Sequence, residues 1–117
     1  MNDMKFTIDH QSVGDIKLLK PQGYLDAHTA PHLESALGNL IQEGSHKIVV
    51  NFKDLDYISS AGLGVFMVYI EDVRTTGGDI KLSEMKPKVF TVFDLLGFPM
   101  LFEIVDQDQH AFDKFTA

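Results

Sequence analysis

Near the middle of the chain, Ile48-Val49-Val50-Asn51-Phe52 is an almost unbroken apolar run rich in β-branched residues. A strand that is apolar on both faces of its pleat needs cover on both, so it belongs in the interior of a sheet. The segments on either side have helical spacing. Upstream, Leu33, Ala36, Leu37, Leu40 and Ile41 recur at three- and four-residue steps. Thr29 is placed to cap that helix, Ala30 and Pro31 occupy its first turn, and Gly44 stands at its stop. Downstream, a second helix is expected from about Ser60 to Thr75, ended by Thr76-Gly77-Gly78. A strand entered from one helix and left through another implies parallel pairing with crossovers. The chain is thereby held to an α/β plan.

The remaining segments fit that plan. Met4, Phe6 and Ile8 alternate with Lys5, Thr7 and Asp9, the period of a half-buried strand. Gln11 to Asp15 turns the chain into a second strand, Ile16 to Leu19, and Lys20-Pro21-Gln22-Gly23 ends this antiparallel hairpin. Asp79 to Ser83 is a short strand. Pro87 opens a third helix carrying Val89, Phe90, Phe93 and Leu96 inward, with Gly97 as its stop and Pro99 beyond. Phe102 to Val105 is the last strand, and Asp106 or Asp108 caps a closing helix through Ala111, Phe112 and Phe115. The expected order is β-β-α-β-α-β-α-β-α, a mixed, largely parallel sheet with helices packed against it. No repeat, linker or low-complexity segment divides the 117 residues, enough for a real core in one domain.

The chemistry-bearing stretch is Tyr57-Ile58-Ser59-Ser60-Ala61-Gly62-Leu63-Gly64-Val65-Phe66, which leads into the second helix. A serine here suits a helix start, because its oxygen can accept a bond from an orphan backbone N–H. The first turn also carries partial positive charge and free N–H groups, so a phosphorylated serine hydroxyl would be tolerated there. At about 100° per residue, Leu63, Phe66, Ile70 and Val73 share one side with Tyr69 beside them, and these should face the sheet. Ser60, Gly64, Met67 and Glu71 fall on the opposite side with Val68 at its edge. An idle outward stripe should be polar. Methionine suits adaptable binding surfaces, and glycine inside a helix often serves a close approach. Scattered surface hydrophobes are the alternative reading of Met67 and Val68.

Composition limits the partners. Net charge is −7, which disfavours a nucleic-acid backbone and anionic lipid alike. There is no cysteine, so disulfide and thiolate chemistry are out and a reducing compartment fits. Met1 to Thr7 lacks the blocks of a signal peptide, and no apolar run approaches the roughly 20 residues of a membrane span. A cytoplasmic location is the expectation.

Several patterns stop short of catalysis. Gly62-Leu63-Gly64 is similar to a dinucleotide fingerprint, but the third glycine is replaced by Met67. Ser60-Ala61-Gly62 is half a nucleophile elbow, with Ile58 in place of its leading glycine, and no histidine and acid are arranged to complete a triad. His28 and His32 lie four apart without a third metal ligand nearby. Asp54 and Asp56 read as closing a loop and supporting the helix start, where negative charge is favoured. Asp26, between a strand and a capped helix, reads from its position as a loop-ordering residue.

Asp54-Leu-Asp-Tyr-Ile-Ser-Ser-Ala-Gly-Leu-Gly-Val65 resembles the bacterial anti-sigma-factor antagonists, small proteins built from one STAS domain. Gly23-Tyr-Leu-Asp26-Ala, Thr29-Ala-Pro31, Leu96-Gly97-Phe98 and Leu101-Phe-Glu-Ile-Val105 extend the resemblance over most of the chain, implying a single STAS domain at residues 1–117. In that family the serine two places before Gly-x-Gly, here Ser60, is phosphorylated. Many members carry aspartate just before it, where this chain has Ser59. The resemblance implies partner switching. The unphosphorylated chain would bind an anti-sigma factor that is also a serine protein kinase and so release a sigma factor. Phosphorylation of Ser60 would end the contact and a serine phosphatase would restore it. No cofactor, metal, catalysis, direct nucleic-acid contact or membrane contact is implied. The expected contact residues are Asp26, Ser59, Ser60, Gly62, Gly64, Met67, Val68 and Glu71. Two other readings stay open: an unphosphorylated STAS subunit of a membrane-transport or signalling assembly, and a small nucleotide-binding α/β protein.

Overall fold

A computed structural model describes residues 6–116. The chain runs β1 (Thr7–Val13), β2 (Ile16–Leu25), α1 (Ala30–Gln42), β3 (Lys47–Asn51), β4 (Leu55–Ile58) and α2 (Ser60–Thr75). It continues through β5 (Asp79–Ser83), α3 (Pro87–Leu95), a 3-10 turn (Phe98–Met100), β6 (Ile104–Val105) and α4 (Asp108–Thr116). The α/β plan, the mixed and mainly parallel sheet and the four helices are as expected. Met4 and Lys5, assigned to the first strand by their alternation, lie outside the described residues.

The strands lie in the order β1-β2-β3-β5-β6, with β4 paired to the far end of β2. Only β1 and β2 are antiparallel. Their turn is confined to Gly14 and Asp15, with Gly14 at φ 63°. β2 does not stop at Lys20 but runs on to Leu25. Its continuation through Pro21 has a physical reason. On the side away from β1, β2 pairs with β3 over residues 16–19 and with β4 over 23–25. Pro21 falls in the gap between these partners, where no ladder requires its missing N–H.

β3 is covered on both faces, as its composition demands. Ile48 and Val50 join the main core beneath α1, α2 and α3, while Val49 joins a smaller cluster with Ile16, Leu18 and Ala111 of α4. Phe52, Phe66 and Phe93 pack at ring separations of 5.4–6.4 Å in the main core. Phe98 and Phe102 extend this aromatic cluster toward the 3-10 turn. α4 is fastened by one carboxylate: Asp108 accepts bonds from the Asn51 amide (2.9 and 3.0 Å) and the Ser83 hydroxyl (2.6 Å), both on buried residues.

Three local expectations are corrected. β4 is an additional strand in a stretch read as a loop. On α3, Val89 and Phe93 are buried, but Phe90 and Leu96 face outward. The helix ends at Leu95, so Leu96 has left the helical phase just before Gly97 turns the chain at φ 77°. Thr29 caps nothing with its side chain. Its hydroxyl instead accepts from Asp26 N and donates to Tyr24 O, closing the loop that leads into α1.

Candidate functional site at the start of helix α2

Two strand ends build the site. Parallel register pairs Tyr24 with Tyr57 and Leu25 with Ile58. Ser59 N then donates to Leu25 O at 2.9 Å, so the loop at Asp26 and the start of α2 are held together. Asp26 orders its own loop: its Oδ1 accepts from the backbone N–H groups of His28 (2.9 Å) and Thr29 (3.2 Å).

Ser60 is the first residue of α2 and is exposed. The first bond closing the helix runs from Leu63 N to Ser59 O, leaving the preceding N–H groups free of helical partners. A negative group on the Ser60 oxygen would therefore meet donors and the positive end of the helix dipole.

Ser59 departs from expectation. It holds the cap position with extended backbone (φ −106°, ψ 172°), yet its hydroxyl makes no capping bond. Its Oγ is shut off from solvent and has no partner among the described residues. A buried, unpaired hydroxyl of this kind costs about 1–3 kcal/mol.

The helix faces fall where the periodicity placed them. Leu63, Phe66, Ile70 and Val73 are buried, and Ser60, Met67, Val68 and Glu71 are exposed, with Gly64 partly so. Met67 and Val68 leave 46% and 59% of their surface open. The two glycines differ in kind. A side chain on Gly62 would press its Cβ to 2.7 Å from Leu25 Cγ and 3.1 Å from Ile58 Cγ1, so the chain's own packing explains that glycine. A Cβ on Gly64 would meet nothing within 4 Å. Among the described residues nothing requires the second glycine.

Comparisons with known proteins identify the family and the fold. The STAS domain family pattern matches residues 7–111. The Bordetella bronchiseptica protein BtrV, named as a candidate anti-sigma factor antagonist, is 32% identical over 92% of this chain and 91% of its own. The chain is a STAS domain of the anti-sigma-factor antagonist family. The anti-sigma-B factor antagonist of Bacillus subtilis is 30% identical over 86% of this chain and 92% of its own. The fold is also that of the anti-sigma factor antagonist SpoIIAA in its unphosphorylated form, with TM-score 0.79 and 20% identity over 96% of each chain. The Bacillus cell fate determinant SpoIIAA in its phosphorylated form matches with TM-score 0.71 and 20% identity, over 95% of this chain and 99% of that one. The family is one of regulators rather than catalysts.

This STAS domain has site features that its sequence did not disclose. Tyr24 and Tyr57 are both partly exposed, with ring centroids 5.5 Å apart, each two residues before Asp26 and Ser59. Their equal offset from those residues is visible in the sequence, but it acquires meaning only once β4 is known to pair with β2. Asp56 does not support the start of α2. It accepts a hydrogen bond from Lys86 at the start of α3, and that bond and charge hold its carboxyl below the ordinary carboxylate range. Asp54 contributes its backbone carbonyl to Gly23 N. Among the described residues no group of three or more His, Asp or Glu is placed to share a metal ion. Among the same residues no helix is long and apolar enough to cross a membrane.

Proposed function

We propose that this chain is a switchable antagonist whose unphosphorylated form binds an anti-sigma factor that is also a serine kinase, with Ser60 as the acceptor. A serine phosphatase resets it, and the cycle runs in the cytoplasm. The observation that carries the reading is Gly64. A helical glycine costs about 0.5–1 kcal/mol relative to alanine, and here no neighbour in the chain calls for it. It lies between Ser60 and the exposed Met67 on one outward stripe, where close approach by a partner backbone would account for it. In this reading Ser60, Gly64, Met67, Val68 and Glu71 form the contact. Gly62 and Ser59 set the helix start from within, and Asp26 orders the adjacent loop.

Incubation with the cognate kinase and ATP tests the assignment. Wild type and Ser59→Ala should each take up one phosphate, and Ser60→Ala none. Uptake that survives Ser60→Ala and is lost in Ser59→Ala would transfer the acceptor role to the neighbouring hydroxyl. A chain that no serine kinase labels and no anti-sigma factor binds would instead be a permanent subunit of some other assembly.

A further inference from the structure

A second group of exposed apolar side chains lies away from Ser60. Leu95 and Met100 leave 79% and 90% of their surface open, and Leu96 and Leu101 are also exposed, four large side chains within seven residues. Single exposed hydrophobes are ordinary, whereas a cluster on one corner marks a surface that something covers. The corner is held in place by Arg74 near the end of α2. Arg74 donates from Nε to Asp79 (2.9 Å) and from a terminal nitrogen to Leu101 O (2.5 Å), and its guanidinium covers the Phe102 ring at 5.6 Å.

Arg74 also joins two grooves. One, of about 490 Å³, runs along α2 past Met67, Ile70 and Glu71. The other, of about 210 Å³, runs beneath Pro99, Met100 and Leu101. At Arg74 the outward stripe of α2 thus meets the part of the corner formed by Met100 and Leu101, with Leu95 and Leu96 a few residues before them in the chain. From Ser60 to Arg74 the helix extends about 21 Å at 1.5 Å per residue.

Size argues for using all of it. A stable protein interface buries about 800 Å² per partner and some 20–30 residues a side. The few side chains of the α2 stripe fall short of that, and the corner is the apolar surface that meets them at Arg74. Charge argues for the occupant. Glu71 lines the first groove and is exposed, and Asp94 is exposed beside Leu95 in the chain; Glu103 lines the second groove. Arg74 is already engaged, as is Lys114, which pairs with Glu103 at 3.4 Å. A second copy of this chain would bring the same acidic rim and the same −7 charge. A partner with apolar side chains flanked by lysine or arginine would meet complementary charge.

We propose that Leu95, Leu96, Met100 and Leu101 form a second anchor for the anti-sigma partner, distant from the switch serine and supplying affinity that phosphorylation does not directly touch. This rests on the reading of α2 as the partner-facing helix. Each purified serine-kinase anti-sigma factor of the source organism is titrated calorimetrically against wild type, Ser60→Asp, Met100→Glu, Met100→Lys and Leu96→Glu. The side chain of Met100 is open to solvent, so its variants should keep the wild-type circular dichroism and melting temperature. The anchor predicts affinity lower by about tenfold or more for Met100→Glu. Met100→Lys should be weaker still, because it meets basic residues. The losses should multiply with that of Ser60→Asp, as for sites well separated in space. Weakening by Ser60→Asp with unchanged binding by all three corner variants would overturn the anchor and leave the switch reading standing. Failure of the wild type to bind any anti-sigma factor would overturn both. A wild-type dimer in sedimentation equilibrium that Met100→Glu separates would assign the corner to a second copy instead.

Discussion

Gly62 and Gly64 stand two residues apart on one helix and answer to different neighbours. Adding a methyl at Gly62 drives it against Leu25 and Ile58. Gly62→Ala should therefore destabilise the fold by about 1–3 kcal/mol, the usual range for overpacking. At Gly64 the methyl enters open space, so Gly64→Ala should stabilise by about 0.5–1 kcal/mol while weakening the anti-sigma partner. Urea unfolding and a binding titration separate the two effects; a Gly64→Ala chain that is more stable and binds equally well would remove this glycine from the contact. The sequence alone cannot make this distinction. Periodicity places Gly64 on the outward stripe, but the requirement at Gly62 comes from Leu25 on a strand distant in the chain. Ser59 is similar. Its residue type suggests a cap, and only the tertiary bond from its N–H to Leu25 O shows how the junction holds it with the hydroxyl unpaired.

At the scale of elements, α2 was legible because its faces obey a strong local period, and its bounds agree with the expected ones. β4 was not. Its burial runs buried, exposed, exposed, buried, without the alternation that identifies a strand, and its existence depends on the open end of β2. α3 shows the limit of periodicity near a helix end, since Leu96 continues the spacing after the helix has stopped. The phase of α2 is open to a direct test. Met67→Asp should abolish partner binding with the fold intact, and Phe66→Ala should cost about 3–5 kcal/mol in stability, as for a buried aromatic side chain. The reverse pattern in thermal melts would rotate the helix. The contact between β4 and α3 yields a pH prediction. Because the Lys86 bond and charge depress the Asp56 pKa, its contribution to stability is present above the ordinary carboxylate pKa and fades as pH falls through the lowered value. Lys86→Ala should move the Asp56 carboxyl titration, followed by ¹³C NMR, upward toward the ordinary value. An unmoved midpoint would show that Lys86 is not the cause.

For the molecule as a whole, the question is whether phosphate at Ser60, the acceptor proposed above, would act through the fold or at the surface. The modification adds about −1.5 to −2 charge near neutral pH. At the N-terminus of α2 that charge meets free N–H groups and the helix dipole, an effect of roughly 0.3–1 kcal/mol in its favour at an exposed position. The net charge of −7 opposes it weakly, because exposed charges more than about 8–10 Å apart are largely screened. The core below is distant in kind as well as in space: Ser60 points outward while Leu63 and Phe66 of the same helix are buried against the sheet. The fold should therefore absorb the phosphate unchanged, and the cost should fall on the partner, whose surface must accept two added charges and three oxygens where it had met a hydroxyl. The phosphorylated chain should keep its melting temperature and its backbone NMR shifts away from residues near Ser60, and lose at least about 2 kcal/mol of partner affinity, on the scale of an interface hot spot. Ser60→Asp should shift affinity in the same direction, and Ser60→Ala should bind whether or not kinase and ATP are present. A large fall in melting temperature, or shift changes spread through β2, β3 and β5, would mean that the switch works by reshaping the domain and that the local electrostatic balance at α2 has been assigned the wrong sign.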